Sequence, residues 1–214
     1  MNNLKSIIFD YDGVIAESVE VKTEAFAEIY RRYGNNIVDK VVSHHEANGG
    51  VSRFEKFKFY HKQFLNVDLN EEELDKLTTL FSVLVLEKVI KSKYVDGVLD
   101  FIKSNHKNYN FFISTGTPKY EIDNILQKKN ISKYFVEVFG SPEKKDIHVK
   151  KILDKYTLLK DETIFIGDAL SDRNAAKENG LKFIGRYTTV EEIKNEKYLI
   201  KDFKNFNLFI NKLK

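Results

Sequence analysis

Six side chains in this sequence have types and positions suited to chemistry on an anion: Asp10, Asp12, Ser114, Lys145, Asp168 and Asp172. Carboxylates that converge on one place repel one another unless a cation sits among them. The chain has no cysteine, and hard oxygen ligands suit Mg²⁺. One ammonium and one hydroxyl nearby suit a bound anion. An acid pair, a divalent cation, a lysine and a serine are the parts that phosphoryl transfer needs: a carboxylate nucleophile, positive charge for the oxygens, and a second carboxyl to move the proton.

These residues converge only if the elements before them end together. Lys5 to Phe9 is a short apolar run that breaks into Asp10-Tyr11-Asp12-Gly13, as a buried strand opening into a polar turn does. The event recurs as Tyr109 to Ile113 before Ser114, Tyr134 to Phe139 before Gly140-Ser141-Pro142, and Thr163 to Ile166 before Gly167-Asp168. Helical spacing follows each of these three: Ile122, Ile125 and Leu126; Ile147, Lys151 and Leu153; Ala175 and Ala176 before Gly180. A fifth strand, Leu181 to Ile184, follows that glycine. Alternating strands and helices predict an α/β fold with a doubly wound parallel sheet, whose ligands collect at the carboxyl ends of its strands.

Residues 16–92 hold no convincing period-two segment and read as an inserted helical cap domain, with the core formed by 1–15 and 93–214. Ala16, Val19, Thr23, Phe26, Ala27 and Tyr30 form a stripe that stops at Gly34. Ser52 with Glu55, and Asn70 before three glutamates, have the spacing of helix N-caps. Phe54, Phe57, Phe64 and Phe81 read as cap core, and His44 to Arg53 as a polar loop.

Asp10-Tyr11-Asp12-Gly13-Val14 resembles motif I of the haloacid dehalogenase superfamily, Ser114 after Phe111-Phe112-Ile113 resembles motif II, and Gly167-Asp168-Ala169-Leu170-Ser171-Asp172 resembles motif IV. The helical insertion is similar to the C1 cap of subfamily I. Gly140-Ser141-Pro142-Glu143-Lys144-Lys145 departs from the K-P-x-P arrangement of many relatives and puts Lys145 in the motif III role, with Lys144 as the fallback. The resemblance implies that Asp10 attacks phosphorus and that Asp12 moves the proton. It implies metal binding by the Asp10 carboxylate, the Asp12 carbonyl and the Asp168 carboxylate, with Asp172 in support. Ser114, Lys145 and the backbone amides of Thr115 or Gly13 would hold the phosphoryl oxygens. A carboxylate at position 12 favours phosphoesters, and points away from dehalogenases and phosphonatases.

Three of these have a plainer reading in isolation: Asp12-Gly13 is a turn, Asp172 an N-cap and Lys145 a solvated charge, and the order of the motifs decides otherwise; Thr117-Pro118 reads as a helix cap with proline in the first turn even beside them. In the cap, Arg53 and His45 flank the Gly49-Gly50 pair, and a hinge there would let them read the leaving group; the plain alternative has Arg53 facing water. His61, His106 and His148 read as structural or surface residues.

The chain has 214 residues with 35 basic and 32 acidic side chains, and its lysines are scattered, so no nucleic-acid partner is expected. No segment has the roughly 18 consecutive apolar residues of a membrane helix. Met1 to Lys5 carries no signal-peptide pattern, and the expectation is a cytoplasmic protein acting on a small phosphorylated substrate, with its oligomeric state open. The expected function is a Mg²⁺-dependent phosphatase for a sugar phosphate or a phosphoglycolate-like molecule. A phosphomutase of the β-phosphoglucomutase type shares every core motif, and a phospho-accepting receiver module would need neither the insertion nor the fourth motif.

Overall fold

A computed structural model describes residues 4–188 and 190–213; Met1 to Asn3, part of the stretch read for a signal peptide, lie outside the described residues. Among the described residues, six parallel strands form one sheet in the order β3-β2-β1-β4-β5-β6. They are β1 (Ser6–Phe9), β2 (Asn110–Pro118), β3 (Glu137–Ser141), β4 (Thr163–Gly167), β5 (Lys182–Arg186) and β6 (Leu199–Ile200). The chain lays down β1, β2 and β3 outward on one side, then returns to place β4 on the other side of β1. The strand order therefore reverses between β1 and β4, where the crevice of such a sheet opens. Phe9 pairs in register with both Ile113 and Ile166, so the residues that follow these three come out at one level.

Of the α-helices between β1 and β2, four lie in the insertion: α1 (Val19–Tyr30), α2 (Asn35–Ala47), α3 (Arg53–Phe64) and α4 (Glu71–Lys91). The caps of the last two are local chemistry. Ser52 Oγ accepts from the Glu55 amide at 3.3 Å, and Asn70 and Glu73 form a reciprocal capping box. Helix α2 replaces the first part of the expected polar loop, and His44 and His45 lie in its last turn. Its buried positions are Val41 and His45, so half of its inward stripe is a histidine and reads as polar in the sequence.

Both sheet faces are covered, by α5 (Val98–Asn105) and α6 (Lys119–Lys128) among others on one side and by α7 (Lys145–Tyr156) and α8 (Leu170–Glu178) on the other. The expected third strand begins later than Tyr134 because Ser132–Tyr134 is a 3-10 turn. The inward stripe of α7 is Lys145, His148, Val149, Ile152 and Leu153; Ile147, expected to face the core, is exposed. That stripe opens on a lysine and a histidine, whose partners are the Asp10 and Asp172 carboxylates and the Ser114 hydroxyl. No helix among the described residues is long and apolar enough to cross a membrane.

Candidate active site

At the switch point the carboxylates of Asp10, Asp168 and Asp172 each offer an oxygen within 4.8 Å of the others. Asp10 follows β1, and Asp168 follows β4; Asp172 reaches back from the first turn of α8, where its second oxygen accepts from the Ala169 amide at 3.2 Å. Lys145, from the first turn of α7, sits 2.8 Å from Asp10 and 2.6 Å from Asp172 and is 5% exposed. One ammonium among three carboxylates, two buried and that of Asp168 half-buried, leaves two negative charges in excess when all three are ionised, the charge of one divalent cation. The imbalance appears in the proton affinities. Burial and then the neighbouring acids raise the pKa of Asp168 well above the usual carboxylate value. Burial and Asp10 outweigh Lys145 to bring Asp172 to about 7, and burial also raises Asp10. A set of oxygen donors crowded in this way fits Mg²⁺.

Asp12 is electrostatically different. Burial works against its ionised form, yet the Lys22 ammonium, in direct contact, and hydrogen bonds from Lys22, Ser18 (2.6 Å) and Thr117 (3.2 Å) hold its pKa below the ordinary value. Lys22 also donates to Thr117 at 2.7 Å. Two carboxylates two residues apart thus differ in kind: one competes for a cation and the other already has its counter-charge. The turn between them and α1 depends on Gly13, whose φ is +75° and whose absent Cβ would lie 2.0 Å from Asp168 Oδ2.

The carboxylates open into a cavity of about 530 Å³ between the strand ends and the helical insertion. Its floor includes Asp10, Asp12, Thr115, Gly116 and Asp168, and its opposite wall includes Phe26, His45, Val51, Arg53, Lys56 and Phe81. The Gly49-Gly50 loop closes one side. Ser171 donates to the Gly49 carbonyl at 2.9 Å, and a Cβ on Gly50 would lie 2.7 Å from Lys145 Nζ.

A family profile described as haloacid dehalogenase-like hydrolase matches residues 7–186. The chain belongs to this family of hydrolases. It is 25% identical over 189 residues to a phosphoglycolate phosphatase of Vibrio vulnificus, covering 85% of this chain and 83% of that one. It is also 25% identical over 204 residues to a phosphorylated carbohydrates phosphatase of Thermotoga maritima, covering 92% and 90%. Among solved structures, a β-phosphoglucomutase from Clostridium difficile matches with a TM-score of 0.78 at 18% identity, over 97% of this chain and 96% of that one.

In this hydrolase Lys145, and not Lys144, reaches the carboxylates; the Lys144 side chain is 69% exposed and lies 3.7 Å from Glu55. Ser114 is fully buried, and its hydroxyl lies 3.0 Å from His148 Nδ1, while the cavity wall at that strand end is Thr115 and Gly116. His148 is accordingly a buried partner of Ser114, and burial lowers its pKa to about 4, which keeps the ring neutral. Arg53 does not face water. It is 4% exposed, and its guanidinium makes a bidentate pair with Glu121 of α6 at 2.6 and 2.9 Å, donates to Ser82 at 2.7 Å and stacks on Phe81. His45 is buried and accepts from Lys56 at 2.7 Å.

Sequence reasoning missed Lys22, Ser18, Thr117, Lys56 and Glu121. Thr117 is no helix cap: it lies inside β2, α6 starts at Lys119, and its hydroxyl serves Asp12. For Lys22 a faint signal exists, since Val19, Lys22 and Phe26 are spaced as one helix face and all line the cavity. Nothing local distinguishes Lys56 from the other lysines of α3.

Proposed function

We propose that this hydrolase is a phosphatase that transfers the phosphoryl group of a small phosphorylated metabolite to Asp10 and then to water, with Mg²⁺ as its cofactor. The observation that carries the reading is the pairing of three under-neutralised carboxylates around Lys145 with an adjacent, fully neutralised Asp12. The Asp10 carboxylate attacks phosphorus and the ester P–O bond breaks; Asp12, once it has taken a proton from solvent and exchanged its contacts with Lys22 and Thr117 for the leaving oxygen, delivers that proton to it. Water then attacks the phosphorus of the aspartyl phosphate, Asp12 takes its proton, and inorganic phosphate leaves with Asp10 restored. Asp12 alternates between acid and base, and the Lys22, Ser18 and Thr117 contacts stabilise its ionised form for the second step.

The Asp10 and Asp168 carboxylates and the Asp12 carbonyl would hold the cation, with Asp172 fixing Lys145 beside it. When bound, the cation supplies positive charge to the phosphoryl oxygens. Lys145 supplies more, and Thr115, on the cavity floor at the end of β2, orients the group, while the Ser114 hydroxyl stays on His148 and the Gly13 amide on the Ala16 carbonyl. Residues 16–92 act as the cap that shuts out bulk water and meets the leaving group. The names of the curated relatives, both phosphatases, support hydrolysis over isomerisation. A panel of phosphorylated metabolites assayed for inorganic phosphate in the presence of Mg²⁺ tests the reading. Stoichiometric phosphate release is expected, and interconversion of isomers without release would overturn it.

A further inference from the structure

The wall of the cavity opposite the carboxylates holds a cation that this chemistry does not use. Lys56 is 2% exposed, lies beside Phe26 and His45, and lines the cavity together with Val51 and Phe81. Its ammonium donates to His45 Nδ1 at 2.7 Å and, at 3.4 Å, to the His45 carbonyl. No carboxylate pairs with it among the described residues, whereas the other cations in and beside the cavity are taken: Lys22 by Asp12, Arg53 by Glu121, Lys145 by Asp10 and Asp172, and Arg186 by Glu17. Glu20 and Glu46 also line the cavity, but both are exposed and neither bonds to Lys56.

His45 cannot serve as the counter-charge. Burial, with the charge of Lys56 behind it, holds the imidazole neutral with a pKa of about 2, so it accepts a hydrogen bond and adds no charge. Two of the three ammonium donors are thereby engaged, and the third has only the Phe26 ring, 5.7 Å away. An ammonium buried against aromatic rings with no anion is unfavourable. Burial, reinforced by Lys22 and Lys145, pushes the Lys56 pKa well below that of an ordinary lysine. An anion entering the cavity would relieve all of this at once.

We propose that Lys56, seated by His45, is a specificity-determining residue that binds a second anionic group of the substrate, a carboxylate or a second phosphate remote from the ester being cleaved. The natural substrate is then a phosphomonoester with charge at both ends. The inference rests on the phosphatase reading above and adds to it the chemistry of the leaving group.

The test compares kcat/KM within matched pairs: 2-phosphoglycolate against 2-hydroxyethyl phosphate for a carboxylate, and fructose 1,6-bisphosphate against fructose 1-phosphate for a second phosphate. Para-nitrophenyl phosphate is the reference without a second anion. The wild type is expected to favour the charged member of one pair by about 10-fold or more, and the responding pair identifies the group. Lys56→Met is expected to lower kcat/KM for that member by roughly 10- to 100-fold, mainly through KM, as loss of a hydrogen bond to a charged group does. Its turnover of para-nitrophenyl phosphate is expected to stay within about 3-fold, and Lys56→Arg should retain part of the preference. Equal use of both members of each pair by the wild type would overturn the proposal without any variant having to fold. Parallel loss on all substrates in Lys56→Met would overturn it too, by making Lys56 a structural anchor of α3 on α2. Absence of phosphate release even from para-nitrophenyl phosphate would sink the phosphatase reading and this inference with it.

Discussion

Replacing Glu121 by Gln would leave the Arg53 guanidinium, 4% exposed, without its counter-charge. The two side chains are 3% and 1% exposed, and their ion pair is bidentate and closed by Ser82, which donates to Glu121 at 2.8 Å. Removing one partner of such a pair costs about 3 to 5 kcal/mol, because the remaining charge stays buried. For a chain of this size each kcal/mol is worth roughly 2 to 4 °C in Tm, so Glu121→Gln should melt about 6 to 20 °C lower. Removing both charges in Arg53→Met/Glu121→Met should restore much of the loss. Urea unfolding followed by circular dichroism, with calorimetry for Tm, measures both variants and the cycle between them. A loss under about 1 kcal/mol for Glu121→Gln, or a double variant as unstable as the sum of the single ones, would refute the reasoning that this pair locks α3 to α6.

Asp10→Asn keeps the side-chain shape while removing the anionic nucleophile; turnover should fall by several orders of magnitude with an unchanged circular dichroism spectrum, and near-normal phosphate release would remove Asp10 from its role. Asp12→Asn should slow an alkyl phosphate about 10² to 10⁴-fold and para-nitrophenyl phosphate far less, since a good leaving group departs without a proton; equal losses under chemistry-limited conditions would argue against Asp12 as the acid. Burial and crowding raise the pKa values of Asp168 and, to about 7, of Asp172. Protons therefore bind the folded metal-free protein below that pH and compete with Mg²⁺, and affinity for the ion grows as pH rises through 7. The increase in Tm on adding Mg²⁺ should be larger at pH 8 than at pH 5.5, and equal increments at the two values would contradict the reading.

The amino-acid sequence by itself determined five of the six strands and the carboxylate edge; β6, two residues long, is too short to leave a pattern. A strand buried on both faces must be an uninterrupted apolar run, so the polar residue that ends Ser6–Phe9 or Thr163–Gly167 marks a carboxyl terminus without any tertiary knowledge. The caps at Ser52 and Asn70 are equally local, because donor and acceptor lie three residues apart. Helix α2 escaped because a histidine occupies one of its two buried positions. Only the tertiary structure decided which charges neutralise which. Lys144 and Lys145 are chemically identical neighbours, and the direction in which α7 leaves its loop buries one and exposes the other. Asp12 meets Thr117 across 105 positions of sequence, and Arg53 meets Glu121 across 68. The isolation of Lys56 is still less local, since it is a property of every side chain packed around it and of none in particular. Apolar periodicity is written into consecutive residues because the backbone repeats, whereas the strength of a charge interaction depends on distance and desolvation, which exist only once the chain has folded.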